Sequence, residues 1–400
     1  MKVSRDAVRR LQLERQGIGV FPRSVDKEDV FEAVDRLGCI QIDTISVVER
    51  AHHFTLWSRL GCYDRRLLYD LAYEDRRVYE GLGHAASYLP LKDWRYFIHA
   101  NRVRAEEYAT HRGWFADTDP GMLERVLKRI RKEGPLSSRD FEENKPQGGW
   151  WSWKPSKTAL ETLFSAGTLM VSHRENFQRF YDLTERVLPS WVDTSEPTKE
   201  ERLRFFVTRT MGCLGAIRPS DIRGYYYDRC VKLERSVREL SAFLDGLVTE
   251  DEAVKLEVEG SKQLHYCLPK DASRLEELSR DWGFDEVRFH THFDSLLWQR
   301  DRIEHLFGFE PVLEIYIRPQ QRRFGYFNIP ILYGDRLVSR FDPKLDRKER
   351  TLIVKGLWFE DGFKPDEEYE DKFERTLDNF IRFSGAEKVE WKTEPFHIHC

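Results

Sequence analysis

Residues 37–53, L-G-C-I-Q-I-D-T-I-S-V-V-E-R-A-H-H, constrain this chain more than any other stretch. They follow an amphipathic segment, open with Gly38 as a helix stop, and then alternate Ile40, Gln41, Ile42, Asp43. That alternation is the period-two signature of a strand with one buried face. Residues two apart on a strand point the same way. Ile40 and Ile42 therefore enter a core, and Gln41 and Asp43 stand together on the opposite face, an amide beside a carboxylate on one rigid element. The plain alternative is a solvated strand face with Asp43-Thr44 opening a turn, and the rest of the chain has to decide between the two.

The 400 residues are 40% hydrophobic, 34% charged and 13% aromatic, which fits a soluble globular chain of roughly two to four domains. Residues 1–10 are charged and helical in pattern, unlike a signal peptide. No uncharged apolar run approaches the roughly 20 residues of a spanning helix. Six cysteines carry no C-x-x-C pair, which argues against a disulfide framework or a thiolate zinc site and for a reducing, cytoplasmic setting. The net charge of −4 is awkward for a nucleic-acid binder, so the 65 Lys and Arg must segregate from the acids if phosphate is to be held.

Along the chain, residues 3–16 and 26–37 read as capped amphipathic helices, followed by the Gln41–Asp43 strand, the one-dimensional outline of a winged helix-turn-helix. Residues 55–60, 64–72, 94–108 and 122–133 read as helices, and the Gly-rich stretch 79–85 as an irregular connector. A second copy follows: a short helix over 137–143, Trp150, Trp151 and Trp153, a helix over 156–166, and strands 169–171 and 177–181 joined by a basic tip. A third copy takes helices over 199–212, 219–227 and 233–246 with a hairpin of 253–258 and 263–267. From residue 287 the pattern turns mostly to strands, 312–317, 324–330, 336–341 and 351–359, closed by a helix over 366–384 and a last strand at 389–391.

Three stretches carry a family resemblance: I-Q-I-D-T-I-S-V-V-E-R at 40–50, G-G-W-W-S-W-K-P-S-K with R-E-N-F-Q-R-F-Y-D-L-T-E-R-V-L-P between 148 and 189, and F-D-S-L-L-W-Q-R with F-G-Y-F-N-I-P-I-L-Y-G-D-R-L-V between 293 and 338. Over nearly its whole length the chain resembles the AlkZ-like (YcaQ-like) winged-helix DNA glycosylases. The resemblance implies an α+β fold of three tandem winged helix-turn-helix units plus a C-terminal β-barrel-like domain around a concave DNA-binding surface. The corresponding division is 1–115, 116–192, 193–283 and 284–400. It also implies excision of N7-alkylated guanines and unhooking of interstrand crosslinks. Gln41-Ile42-Asp43 matches the family's catalytic motif in its Gln-x-Asp form, which looks like the branch of broader substrate tolerance. One departure stands out: Thr291-His292 precede Phe293-Asp294, where many relatives have Ser-Pro, near a family hairpin thought to approach DNA.

The chemistry suits the motif. An N7-alkylguanine is cationic and leaves without protonation, so the catalyst has to stabilise an oxocarbenium-like sugar and place a water. Asp43 is the residue for both tasks, with Gln41 holding the water. No lysine sits in the motif to form a Schiff base, and a hydrolytic, lyase-free reaction without metal or other cofactor is expected. Arg50, His53, Lys154, Lys157, Arg174, Asn176, Arg179 and His292 are the candidate DNA contacts, with a core role the alternative for His53 and a solvated tip the alternative for Arg174, Asn176 and Arg179. The three tryptophans at 150–153 read as packing rather than base stacking. His290, His292, His397, His399 and Cys400 make only a paper metal site. The expected partner is double-stranded DNA bearing an alkylated or crosslinked guanine, bound by a monomer; the rival is a non-catalytic winged-helix DNA-binding protein or regulator.

Overall fold

The computed structural model describes residues 1–112, 116, 118–141 and 154–393. Two compact units divide the chain, residues 1–67, 206–226 and 235–400 in the first and residues 68–205 and 227–234 in the second. The first unit thus returns the N-terminal stretch to the far end of the chain.

In the first unit, helix Arg5–Arg15 starts on the Ser4 hydroxyl, which accepts the Ala7 N–H. It buries Ala7, Val8 and Leu11 among Leu256, Val258, Leu275, Leu278 and Leu306. Residues Lys2–Val3, read from sequence as part of that helix, instead pair in parallel with Glu257 and Val258. The hairpin of Val254–Val258 and Leu264–Cys267 receives a further bridge from Ile217 to Tyr266, ahead of helix Pro219–Tyr225.

The C-terminal strands form an open five-stranded sheet in the order Lys388–Trp391, Thr351–Phe359, Arg336–Asp346, Ile329–Tyr333, Val287–Phe289. It has two edges, so the expected barrel is a curled sheet, bent by bulges at Phe341/Pro343 and Ile331/Leu332. Helix Glu367–Ser384 lays Phe373 and Phe380 against Phe289 and Phe341 of this sheet. Residues 312–317 are no strand: the buried Glu314 carboxylate takes the N–H groups of Arg323 and Phe324, so the backbone there closes a loop rather than a ladder.

The second unit holds helices Pro120–Glu133 and Pro155–Ser165 against the hairpin Leu169–Glu175 and Gln178–Leu183. Their shared core includes Val126, Ile130, Leu160, Leu163 and Val171. Leu136 bridges to Tyr181 as Ile217 does to Tyr266. Residues 137–141, expected to begin a helix, make a turn in which Asp140 accepts the N–H and hydroxyl of Ser137. The stretch 79–85 is also corrected, since Val78–Gly83 and Ala85–Pro90 pair as a regular antiparallel hairpin. Its glycine is a packing device there: a Cβ on Gly81 would stand 2.7 Å from the Tyr79 ring and 2.8 Å from Leu89. Among the described residues, no helix is long and apolar enough to cross a membrane.

Several histidines of the first unit are held neutral by the fold. Burial, followed by the charge of Arg302, pushes His265 down to about 4, and burial does the same for His292. A histidine whose folded pKa is depressed excludes a proton that the unfolded chain accepts below its ordinary value of 6.5, so the associated stability is complete above that pH and declines toward 4. His265 is 1% exposed and contributes a loss of about 2 kcal/mol between pH 7.5 and 5. The half-buried His292 contributes less. The expected result is a urea midpoint that falls over this interval, with a shallower fall in His265→Gln; equal slopes for the two proteins would refute the assignment.

Candidate active site

Helix Lys27–Leu37 leads into the site. Asp26 and Asp29 form a reciprocal capping box at its start, and Gly38 ends it in the left-handed conformation at φ 67°. A side chain at Gly38 would also collide with the Tyr226 hydroxyl, 2.4 Å from an added Cβ, while Tyr225 donates its hydroxyl proton to the Leu37 carbonyl at 2.6 Å. The chain therefore leaves the helix in one fixed direction.

The strand pairing covers only Ile40–Gln41, but the alternation runs through Asp43. Ile40 and Ile42 are 1% and 7% exposed, whereas Gln41 and Asp43 are half-buried. Asp43 Oδ1 accepts the Ile45 N–H at 2.8 Å. Burial raises the Asp43 pKa above the ordinary aspartate value, opposed by the N–H groups of Ile45 and Thr44. Asp43 is thus a partly desolvated carboxylate held in one orientation by a backbone donor.

The turn after Asp43 is anchored from the C-terminal sheet. Leu345 donates its N–H to the Val47 carbonyl at 3.1 Å, and Arg347 donates to the carbonyls of Ser46 and Val48 at 3.0 Å and to the Ser46 hydroxyl at 2.9 Å. Glu49 accepts the Arg50 N–H at 2.8 Å and pairs with Arg65, whose guanidinium also lies 4.6 Å from the Phe383 ring centre. Helix Ala51–Leu60 follows and is buried on all sides. Its Trp57 packs among Phe54, Phe289, Phe380 and Phe383. Arg59, on the same helix, grips both oxygens of Asp294, which also faces His290 Nδ1 at 3.1 Å. Asp294 belongs to the F-D-S-L-L-W segment, so that motif fastens the helix behind the site.

The candidate contacts fare differently. Arg50 is half-buried at the start of Ala51–Leu60, and its guanidinium reaches the Thr44 carbonyl at 3.5 Å. Lys154 and Lys157 are half-buried at the start of Pro155–Ser165, and Asn176 is exposed at a hairpin tip with φ 46°. His53 is 2% exposed, with Nδ1 2.8 Å from the Tyr63 hydroxyl and its pKa driven well down by burial, so its expected DNA contact gives way to a core role. Arg174 and Arg179 are likewise turned inward: both pair with the buried Glu80, and Arg179 also with Glu161. The basic wing they were expected to form is a buried ion-pair network, because Glu80 emerges from the hairpin misread as a connector. His292 faces the Asn328 side-chain oxygen at 3.0 Å. Trp150, Trp151, Trp153, His397, His399 and Cys400 lie outside the described residues.

Sequence reasoning missed Arg347 and Arg59. Their only signal was composition, a basic turn R-K-E-R and an arginine on an apolar helix, and neither pairing could be found without the tertiary contact.

A family model described as AlkZ-like DNA glycosylase matches residues 34–383. Among solved structures, the Streptomyces sahachiroi DNA glycosylase AlkZ is similar in fold, with a TM-score of 0.64 at 15% identity, covering 98% of this chain and 100% of its own.

Proposed function

Because this chain belongs to the AlkZ-like DNA glycosylase family and is therefore a DNA glycosylase, we propose that it hydrolyses the N-glycosidic bond of N7-alkylated guanines, including those joined in interstrand crosslinks. The observation that carries this reading is the Gln41 and Asp43 pair on one strand face, with the carboxylate half-buried and held by the Ile45 N–H.

In this reading the cationic base departs with the electrons of the C1′–N9 bond, so no acid is needed at the leaving group. The Asp43 carboxylate faces the positive charge that develops on the sugar, and Gln41 orients a water. As the water oxygen bonds to C1′, Asp43 takes its proton and later releases it to solvent. The products are the free alkylated base and an abasic site, which remains uncut because no amine attacks the sugar. The two helix-and-hairpin sets closed by the Leu136 and Ile217 bridges read as winged helices, with residues 1–67 contributing another helix pair and strand. Arg50, Lys154, Lys157 and Asn176 serve as DNA contacts. The enzyme acts as a monomer.

The test is incubation with duplex containing N7-methylguanine, followed by alkali to cut abasic sites. Wild type gives strand scission and the Gln41→Ala, Asp43→Asn double variant does not. Scission retained by the double variant removes these residues from the chemistry. No scission by wild type, with duplex binding intact, removes the substrate proposed.

A further inference from the structure

Tyr316 is 84% exposed, the largest value among the exposed large hydrophobic residues of the described part of the chain. It stands on the loop of residues 315–326, I-Y-I-R-P-Q-Q-R-R-F-G-Y, which carries Arg318, Arg322 and Arg323 and no acidic residue in a chain of net charge −4. We infer that this loop is a DNA-contact element, in which Tyr316 stacks on a base or sugar face while Arg318 and Arg322 neutralise the neighbouring phosphates.

The loop is built rather than slack. At its base Glu314, 1% exposed, accepts the N–H groups of Arg323 at 2.7 Å and Phe324 at 2.6 Å. On the return side Asp342, 3% exposed, accepts those of Phe327 at 3.1 Å and Tyr326 at 3.3 Å. Gly325 sits at φ 90° where an added Cβ would come within 2.1 Å of the Asp342 carboxylate, so only glycine lets the backbone reach that acceptor. Asn328 ties the two feet by donating to the Val312 carbonyl at 2.9 Å while its oxygen faces His292. His292, at the position where the family resemblance breaks, thus supports the loop through Asn328.

The exposed end is free to bind. Arg318 is exposed, and the half-buried Arg322 donates Nε to the Ile317 carbonyl at 2.9 Å and lays its guanidinium 4.9 Å from the Tyr326 ring centre, which leaves its terminal nitrogens without an internal carboxylate among the described residues. Arg323 is offset by Glu310 at 3.2 Å, both more than half exposed. A rigid aromatic flanked by cations suits a polyanion with stackable faces, and rigidity reduces the ordering cost of binding. The duplex on which a DNA glycosylase acts has both features. This inference rests on DNA being the ligand and not on the N7-alkylguanine assignment.

The full chain is titrated against fluorescent undamaged duplex by anisotropy at several salt concentrations, so that no turnover intervenes. Tyr316→Ala is expected to weaken binding at least about fivefold, Tyr316→Phe to stay within about twofold of wild type, and the urea midpoints to coincide. The Arg318→Gln, Arg322→Gln double variant is expected to flatten the dependence of log K on log salt by about 2. Wild-type affinity in Tyr316→Ala together with an unchanged salt slope in the arginine variant overturns the inference. So does a Tyr316→Phe variant as weak as Tyr316→Ala, or a loss of self-association in Tyr316→Ala at unchanged DNA affinity, which would identify a second copy as the partner. Because undamaged duplex is used, a failed excision assay beside a positive loop result would count against the substrate reading alone.

Discussion

Asp43→Asn is expected to lower excision of N7-methylguanine on the order of 10²-fold or more without lowering the unfolding midpoint. The amide keeps an oxygen in the place where Asp43 Oδ1 accepts the Ile45 N–H, so the turn anchored by Leu345 and Arg347 survives. What disappears, in the mechanism proposed, is the negative charge opposite the developing oxocarbenium and the site that receives the water proton. Stability does not suffer because burial already disfavours that charge, the main cause of the raised Asp43 pKa. A folded carboxyl raised above its unfolded value makes its ionised form a liability at neutral pH, and the neutral variant removes it. The same sign sets the pH profile: the active, ionised form is present only above the raised pKa, so the acid limb of wild-type activity lies above the ordinary aspartate value of 3.8. Single-turnover rates measured from pH 4 to 8 check both points. An Asn variant with near-wild-type rates, or a wild-type limb at or below the ordinary value, would rule out the base.

The largest loss of stability is expected at Asp294. Arg59 and Asp294 have side-chain exposures of 3% and 0%, and His290 closes the far side of the carboxylate. Burial alone would raise the Asp294 pKa, but the Arg59 guanidinium and then His290 hold it well below the usual carboxylate range. Asp294→Ala leaves a guanidinium in the core with only neutral acceptors, namely the Gln16 and Thr55 carbonyls and neighbouring side chains. Breaking a buried pair in this way costs about 3–5 kcal/mol, read from the urea midpoint at pH 7.5. Pairing Asp294→Leu with Arg59→Met should recover part of the loss, because no isolated charge then remains. A depressed carboxylate pKa stabilises the fold above its unfolded value and ceases to do so as pH falls through the folded one, so the penalty shrinks in strong acid. An Asp294→Ala loss below about 1 kcal/mol would mean that the network is merely decorative.

Much of the organisation was legible in the chain itself. A period of two cannot be satisfied by a helix, so Ile40 to Asp43 declared which side chains face in and which face out, and the capping pattern of Asp26 with Gly38 declared where the preceding helix begins and ends. The same local signals located helices Pro155–Ser165 and Glu367–Ser384. They failed where glycine serves close packing, as at Gly81, and where a buried carboxylate replaces a strand ladder, as at Glu314.

Charge was the other limit, since the letter R is the same on a surface and in a core. Arg174 and Arg179 looked like a phosphate grip until Glu80, distant in sequence, took both inside. The pairings of Arg59 with Asp294 and of Arg347 with the Ser46 and Val48 carbonyls span more than 200 residues and leave no periodic trace. Local backbone preference and hydrophobic spacing were written in the chain and set most helices and the strand that carries Gln41 and Asp43. Which polar groups stay available for a ligand was decided only by three-dimensional packing, because burial and partner choice depend on neighbours that the chain order does not bring together.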